Sequence, residues 1–141
     1  MYKNSEGYPD PTVGAVIAKM NRENNMKKQK YNRLVYICSP YAGDVVWNTQ
    51  KAKKYSRLAI NRGYVPVAPH LLYPQILNDN NPVERDVGIK CGLALLDCCS
   101  EIWVFGAKHS AGMRQEIQAA YEKETMKVRY FDEDGREAKC I

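Results

Sequence analysis

Four short apolar runs, separated by stretches with helical spacing, set the pattern of this chain. Leu34–Cys38 (LVYIC), Tyr64–Ala68 (YVPVA), Ile102–Phe105 (IWVF) and Lys127–Phe131 (KVRYF) have the length and the β-branched or aromatic content of strands. Pro66 cannot donate to a ladder, which places the second run at a sheet edge. Residues 48–62 carry Ala52, Tyr55, Ala59 and Ile60 on one helical face, with Gly63 as the stop. Residues 84–98 carry Val87, Cys91, Leu95 and Leu96, and residues 113–121 carry Ile117, Ala120 and Tyr121. Strand and helix alternate throughout. That order predicts an α/β fold, a parallel sheet of four to five strands with helices on both faces and right-handed crossovers.

The two ends depart from this alternation. Asp10 and Pro11 read as the N-cap and first position of a helix with an apolar stripe of Val13, Val16, Ile17 and Met20. The basic, polar NNMKKQKYN that follows reads as a linker. Residues 1–32 are therefore expected to form a helical extension, and residues 33–141 the α/β domain. The stripe suits docking on the main domain or a contact in a homo-oligomer. At the other end, DEDGREAKCI is expected to turn at Asp134-Gly135 into a small hairpin or an edge strand.

In a sheet of this kind ligands bind beyond the carboxyl ends of the strands, near the switch in strand order. The loops there are residues 39–44, 69–83 and 106–112. The second, PHLLYPQILNDNNPV, is too long for a mere connector. The third joins an apolar run to a helix through Gly106, Ser110 and Gly112, an arrangement that presents backbone N–H groups to an anion. It also sets Glu116 about a turn and a half into that helix.

Composition narrows the class. The chain has 141 residues, is 45% hydrophobic and 26% charged, and carries a net charge of +5. One globular domain with a real core fits that length. No run approaches the ~20 apolar residues of a membrane span, and no signal-peptide pattern opens the chain, so a cytoplasmic location is expected. The basic balance suits a phosphate-bearing ligand more than nucleic acid, for which no motif is present. Five cysteines without a CxxC pair, and only two histidines, argue against zinc and for reduced, mostly buried thiols.

The segments VYICSPYAGD, GYVPVAPH, ERDVGI and EIWVFGAKHSAGMRQEI, in this order, resemble the nucleoside 2-deoxyribosyltransferase-like superfamily. They are most similar to an uncharacterised branch common in phages and mobile elements, which also shares the EGYPDPT leader. The resemblance spans roughly residues 33–131. It implies a small flavodoxin-like (Rossmann-like) sheet and an enzyme that cleaves or transfers at an N-glycosidic bond without a cofactor or metal. The Ser-x-Gly-x-x-x-Glu spacing of Ser110, Gly112 and Glu116 makes Glu116 the expected nucleophile. By the same resemblance Asp86 orients sugar or base, and Tyr36 positions the nucleophile. Ser39, Tyr41 and Gly43 contact sugar or phosphate, His70 meets the base, and Ser110, Gly112, Met113 and Arg114 hold a 5′-phosphate. Each residue also has a plainer reading: Glu116 as a solvated carboxylate, Asp86 as a first-turn acid, Tyr36 as core.

The expected partner is a small nucleoside or nucleotide, with a homo-oligomer whose neighbouring subunits complete the sites. The chain departs from the active enzymes at SPYAG, at Met113-Arg114-Gln115 and in the long 69–83 loop. These departures keep open an alternative, a phage-type protein that sequesters a defence-signal nucleotide without turnover.

Overall fold

A computed structural model describes residues 11–138. The chain divides into two compact units, Met1–Lys30 and Tyr31–Ile141. The described residues of the first form one helix, α1 (Pro11–Lys28). The expected cap at Asp10 lies outside the described residues. The helix runs further than the stripe suggested: the stretch read as linker continues as helix to Lys27 and Lys28, cations that suit a helix C-terminus.

The second unit holds four strands, β1 (Leu34–Cys38), β2 (Val65–Val67), β3 (Glu101–Phe105) and β4 (Lys127–Phe131). They form one parallel sheet in the order β2-β1-β3-β4. The order reverses between β1 and β3, whose register sets Tyr36 beside Ile102 and Cys38 beside Val104. Pro66 lies on the edge strand β2, as its missing N–H requires. The crossovers are α2 (Val45–Asn61), α3 (Pro82–Asp97) and α4 (Ala111–Tyr121). After β4 the chain turns at Asp134-Gly135. A bridge between Phe131 and Glu137, with Ala138 N–H donating to Tyr130 C=O at 2.8 Å, makes this the small hairpin expected there.

All three crossover helices start earlier than their apolar spacing indicated, because their caps do. Asp44 accepts from Trp47 N–H at 3.1 Å and opens α2. Asn81 accepts from Val83 and Glu84 N–H at 3.0 and 3.3 Å, with Pro82 as the first helical residue, and opens α3. The long loop is correspondingly shorter and holds two 3-10 turns, Pro69–Leu71 and Tyr73–Gln75.

Alternation along the strands divides the core. Val35, Ile37, Trp103, Phe105 and Phe131 pack with Tyr55 and Ala59 of α2. Tyr36, Cys38, Ile102 and Val104 pack on the opposite face with Leu96 of α3 and Met113, Ile117 and Ala120 of α4. The α2 face is densely aromatic: Tyr55 and Phe105 stack at 3.9 Å, and Phe105 and Phe131 at 4.8 Å. Two inward assignments are corrected. Val87 and Tyr121 are exposed; Gly92 takes the buried place on α3, and Met113 the one on α4. Tyr121 instead shares a hydrogen bond with Tyr130 at 2.8 Å. Cys38 and Cys99 are buried thiols, Cys91 is half-buried and Cys98 exposed, while Cys140 lies outside the described residues. Among the described residues no helix is long and apolar enough to cross a membrane.

Candidate active site

A cavity of about 260 Å3 opens beyond the carboxyl ends of the strands, on the α3–α4 face. All three loops singled out by the sequence contribute. Ser39, Tyr41 and Ala42 come from the first, Pro69, His70, Tyr73, Leu77 and Asp79 from the second, and Ser110 and Gly112 from the third. Helix α4 adds Met113, Gln115 and Glu116, and Tyr36 reaches it from inside the sheet.

Glu116 is half-buried; its Oε2 is fully buried and has no hydrogen-bond partner. Burial lifts its pKa to about 7 from an ordinary 4.5. The neighbouring Cys38 thiol and Tyr36 hydroxyl oppose that rise without cancelling it. Burial, with Glu116 beside them, pushes both of those groups far above their usual range, so they stay protonated donors. The phenol sits close under α3 because residue 92 is glycine: a Cβ there would lie 3.3 Å from the Tyr36 oxygen. The result is a carboxylic group that changes charge near neutrality, supported from below and open to the cavity.

Two further buried polar atoms without partners, Ser39 Oγ and His70 Nε2, belong to the same cavity wall. Among the described residues, only Tyr31 carries another such atom. Burial lowers the His70 pKa, against a hydrogen bond to the Ser39 backbone that favours the charged ring. His70 also stacks on Tyr41 at 6.2 Å. Unmet hydrogen-bonding capacity gathered around one hollow is what a polar ligand would satisfy.

Ser110 caps α4: its Oγ accepts from Met113 N–H at 3.2 Å. This engages one of the N–H groups the sequence offered to a phosphate and leaves those of Ala111 and Gly112 at the helix start.

Of the predicted site residues, Tyr36, Ser39, Tyr41, His70, Ser110, Gly112, Met113 and Glu116 line the cavity, and three do not. Asp86 is exposed and pairs with Lys90 at 2.9 Å, one turn along the outer side of α3. Gly43 makes the turn before α2, with φ +97°. Arg114 is exposed on the solvent side of α4. The charged residues that α3 turns to the cavity are Glu84 and Arg85. They were missed, although a signal existed: Gly88 and Gly92, at i and i+4, mark the thin face of that helix, and both line the cavity with Glu84 and Arg85. Asp79 and Tyr73 carried no signal beyond the length of their loop. No group of three metal-ligating side chains occurs among the described residues.

This architecture, a wound parallel sheet with helices on both faces, is shared with a solved 2-deoxyribosyltransferase from the psychrotolerant bacterium Bacillus psychrosaccharolyticus. The two superpose with a TM-score of 0.56 at 18% identity, over 77% of this chain and 76% of that one. The chain itself belongs to the family described as a domain of unknown function (DUF7768), whose model matches residues 33–131. No curated protein matches it significantly.

Proposed function

We propose that the cavity binds a nucleoside or nucleotide and that Glu116 breaks its N-glycosidic bond. The observation that carries this reading is the buried Glu116 Oε2, an oxygen without a hydrogen-bond partner, in a residue of the cavity wall. The fold shared with a 2-deoxyribosyltransferase supports it. In the ionised form the carboxylate attacks the anomeric carbon. The carbon–nitrogen bond breaks, its electron pair leaves with the base, and the base takes up a proton. A glycosyl ester remains on Glu116, which water or a second base then opens.

Tyr36 holds the carboxylate, His70 and Ser39 offer hydrogen bonds to the ligand, and Tyr41 and Tyr73 give it aromatic surface. Ser110 and the free N–H groups of Ala111 and Gly112 suit a 5′-phosphate. With a carboxyl pKa of about 7, the rate rises with pH through neutrality. The test is incubation with a panel of ribo- and deoxyribonucleosides and their 5′-monophosphates, followed by chromatography for free base. Glu116→Gln should lose more than about 10³-fold in turnover while retaining ligand. Full activity in that variant removes Glu116 from the reaction.

A second reading rests on the position of Asp86. Its exposure leaves Glu116 without the acidic helper the resemblance assigned, and a cavity so altered suits a protein of the phage-associated branch that holds a nucleotide intact. Mass spectrometry of small molecules released on denaturation separates the two: an intact nucleotide supports sequestration, base plus sugar phosphate supports cleavage.

A further inference from the structure

Ser39 and His70 follow neighbouring strands, β1 and β2, and the ring of Tyr41, two residues after Ser39, stacks on His70. Ser39 is only 1% exposed, yet its Oγ has no hydrogen-bond partner. The His70 Nε2 is buried and unpartnered too, and both residues line the cavity that Glu116 lines. Ser39 directly follows Cys38, whose Sγ donates to the Met113 carbonyl at 3.8 Å, three residues before Glu116 on α4. The serine therefore ends the strand that packs on the Glu116 helix. Ser110 and the start of α4 follow β3, on the other side of β1.

We propose that Ser39 and His70 bind the 2′- and 3′-hydroxyls of a ribose, so that the cavity selects ribonucleosides or ribonucleotides over their 2′-deoxy counterparts. The inference rests on the nucleoside reading above and deepens it by naming the sugar. An anion would call for a cation or a row of N–H groups. A serine hydroxyl and a histidine ring whose charged form is disfavoured by burial are neither. A hydroxyl both donates and accepts, and a neutral imidazole nitrogen does one or the other according to its tautomer. Two sugar hydroxyls therefore satisfy both orphaned atoms whichever tautomer His70 adopts. A carbonyl or amino group on the edge of a base fills only one of those roles.

Strand order assigns the two hydroxyls. C2′ is bonded to the anomeric carbon that Glu116 attacks in the proposed reaction, and β1 is the strand packed on the Glu116 helix. Ser39 therefore takes the 2′-hydroxyl, and His70, one strand further toward the β2 edge, takes the 3′-hydroxyl. This leaves the 5′ end of the sugar for Ser110 and the N–H groups of Ala111 and Gly112. A hydrogen bond to the 2′-hydroxyl strengthens as positive charge develops on the sugar ring, so the same contact favours departure of the base. A 2′-deoxy sugar would leave the Ser39 hydroxyl buried and unpaired, which costs affinity.

The experiment is a calorimetric titration of the full chain with adenosine, guanosine, cytidine and uridine, their 2′-deoxy and 3′-deoxy analogues, and the 5′-monophosphates of the ribo and 2′-deoxy series. Any compound that is cleaved is measured in Glu116→Gln. For each base accepted, the ribo form should bind about tenfold or more tighter than the 2′-deoxy form. Ser39→Ala should bring those two within about twofold of each other. His70→Phe, which keeps a ring to stack on Tyr41, should do the same for the ribo and 3′-deoxy forms. Purely structural roles would weaken all three sugars alike and leave their ratios unchanged, and that result overturns the proposal. Should a variant fail to fold, the native series decides: 2′-deoxy forms that bind as tightly as ribo forms refute the inference. A ribose preference without release of free base sinks the cleavage reading alone. Free base released from 2′-deoxy compounds as readily as from ribo compounds sinks this inference alone. Failure of every compound to bind overturns both.

Discussion

The two faces of this sheet each bury a glutamate, and they treat it in opposite ways. Glu101 opens β3 beside the α2-face aromatics, only 6% exposed. It accepts from Arg129 at 3.2 Å and from the Trp103 indole N–H at 3.3 Å. Arg129 in turn clasps Glu137 of the C-terminal hairpin through two bonds of 2.7 Å and lies over the Trp103 ring at 5.1 Å. The Tyr55 hydroxyl on this side finds the Glu133 carbonyl at 2.9 Å. Across the sheet, Glu116 has no cation, an oxygen without a partner, and a hollow in front of it. The first carboxylate is a closed network and the second an open one. Burial alone does not single out a candidate functional acid; a buried oxygen without a counter-charge, beside a cavity, does.

The sharpest way to break this contrast is to open the closed side. Arg129→Ala leaves Glu101 buried without its cation and should destabilise the protein by about 3 kcal/mol or more, read from urea unfolding at pH 7. Glu101→Gln in the same background should recover part of the loss, because the stranded charge is gone.

The second prediction concerns the open side. Burial raises the folded-state pKa of Glu116 above its ordinary value, so the native protein holds this proton more tightly than the unfolded chain does. The stabilisation is complete below pH 4.5 and disappears as pH rises through about 7. Glu116→Gln should thus leave stability nearly unchanged at pH 4.5 and raise it relative to the native chain by about 3 kcal/mol at pH 8.5. Equal effects of the substitution at both pH values would show that Glu116 titrates normally.

Smaller effects refine the map. Ser110→Ala removes the cap of α4 and should cost about 1 kcal/mol by thermal unfolding, with weaker binding of a 5′-monophosphate than of the nucleoside as its second signature. Asp86→Asn should change neither melting temperature nor ligand binding, since its pair with Lys90 is a solvent-side contact. A strong effect of that substitution on binding would return Asp86 to the site.

The strands were legible because alternation and β-branching are local signals: LVYIC and KVRYF coincide with β1 and β4. Helix starts were less so. Apolar spacing begins only where a helix first touches the core, whereas Asp44 and Asn81 start their helices a few residues before that contact. The three loops of the cavity could be named from their composition and order, and Glu116 from its spacing to Ser110. What the chain could not reveal was the rotation of α3. Asp86 and Arg85 are neighbours in sequence but differ by about 100° around the helix axis, enough to face different surroundings. The Asp86–Lys90 spacing was itself a hint of a solvent-facing side. Nor does sequence report an unmet hydrogen bond: the orphaned atoms of Ser39, His70 and Glu116 exist only once distant segments meet.

Gly92 carries a consequence of its own. With the Tyr36 oxygen 3.3 Å from where a methyl would stand, the space between α3 and the phenol is filled by a single hydrogen. Enlarging that position would add bulk to the cavity wall and press the phenol away from the helix. In this molecule the smallest side chain on one helix governs how deeply the largest polar one in the first strand can seat.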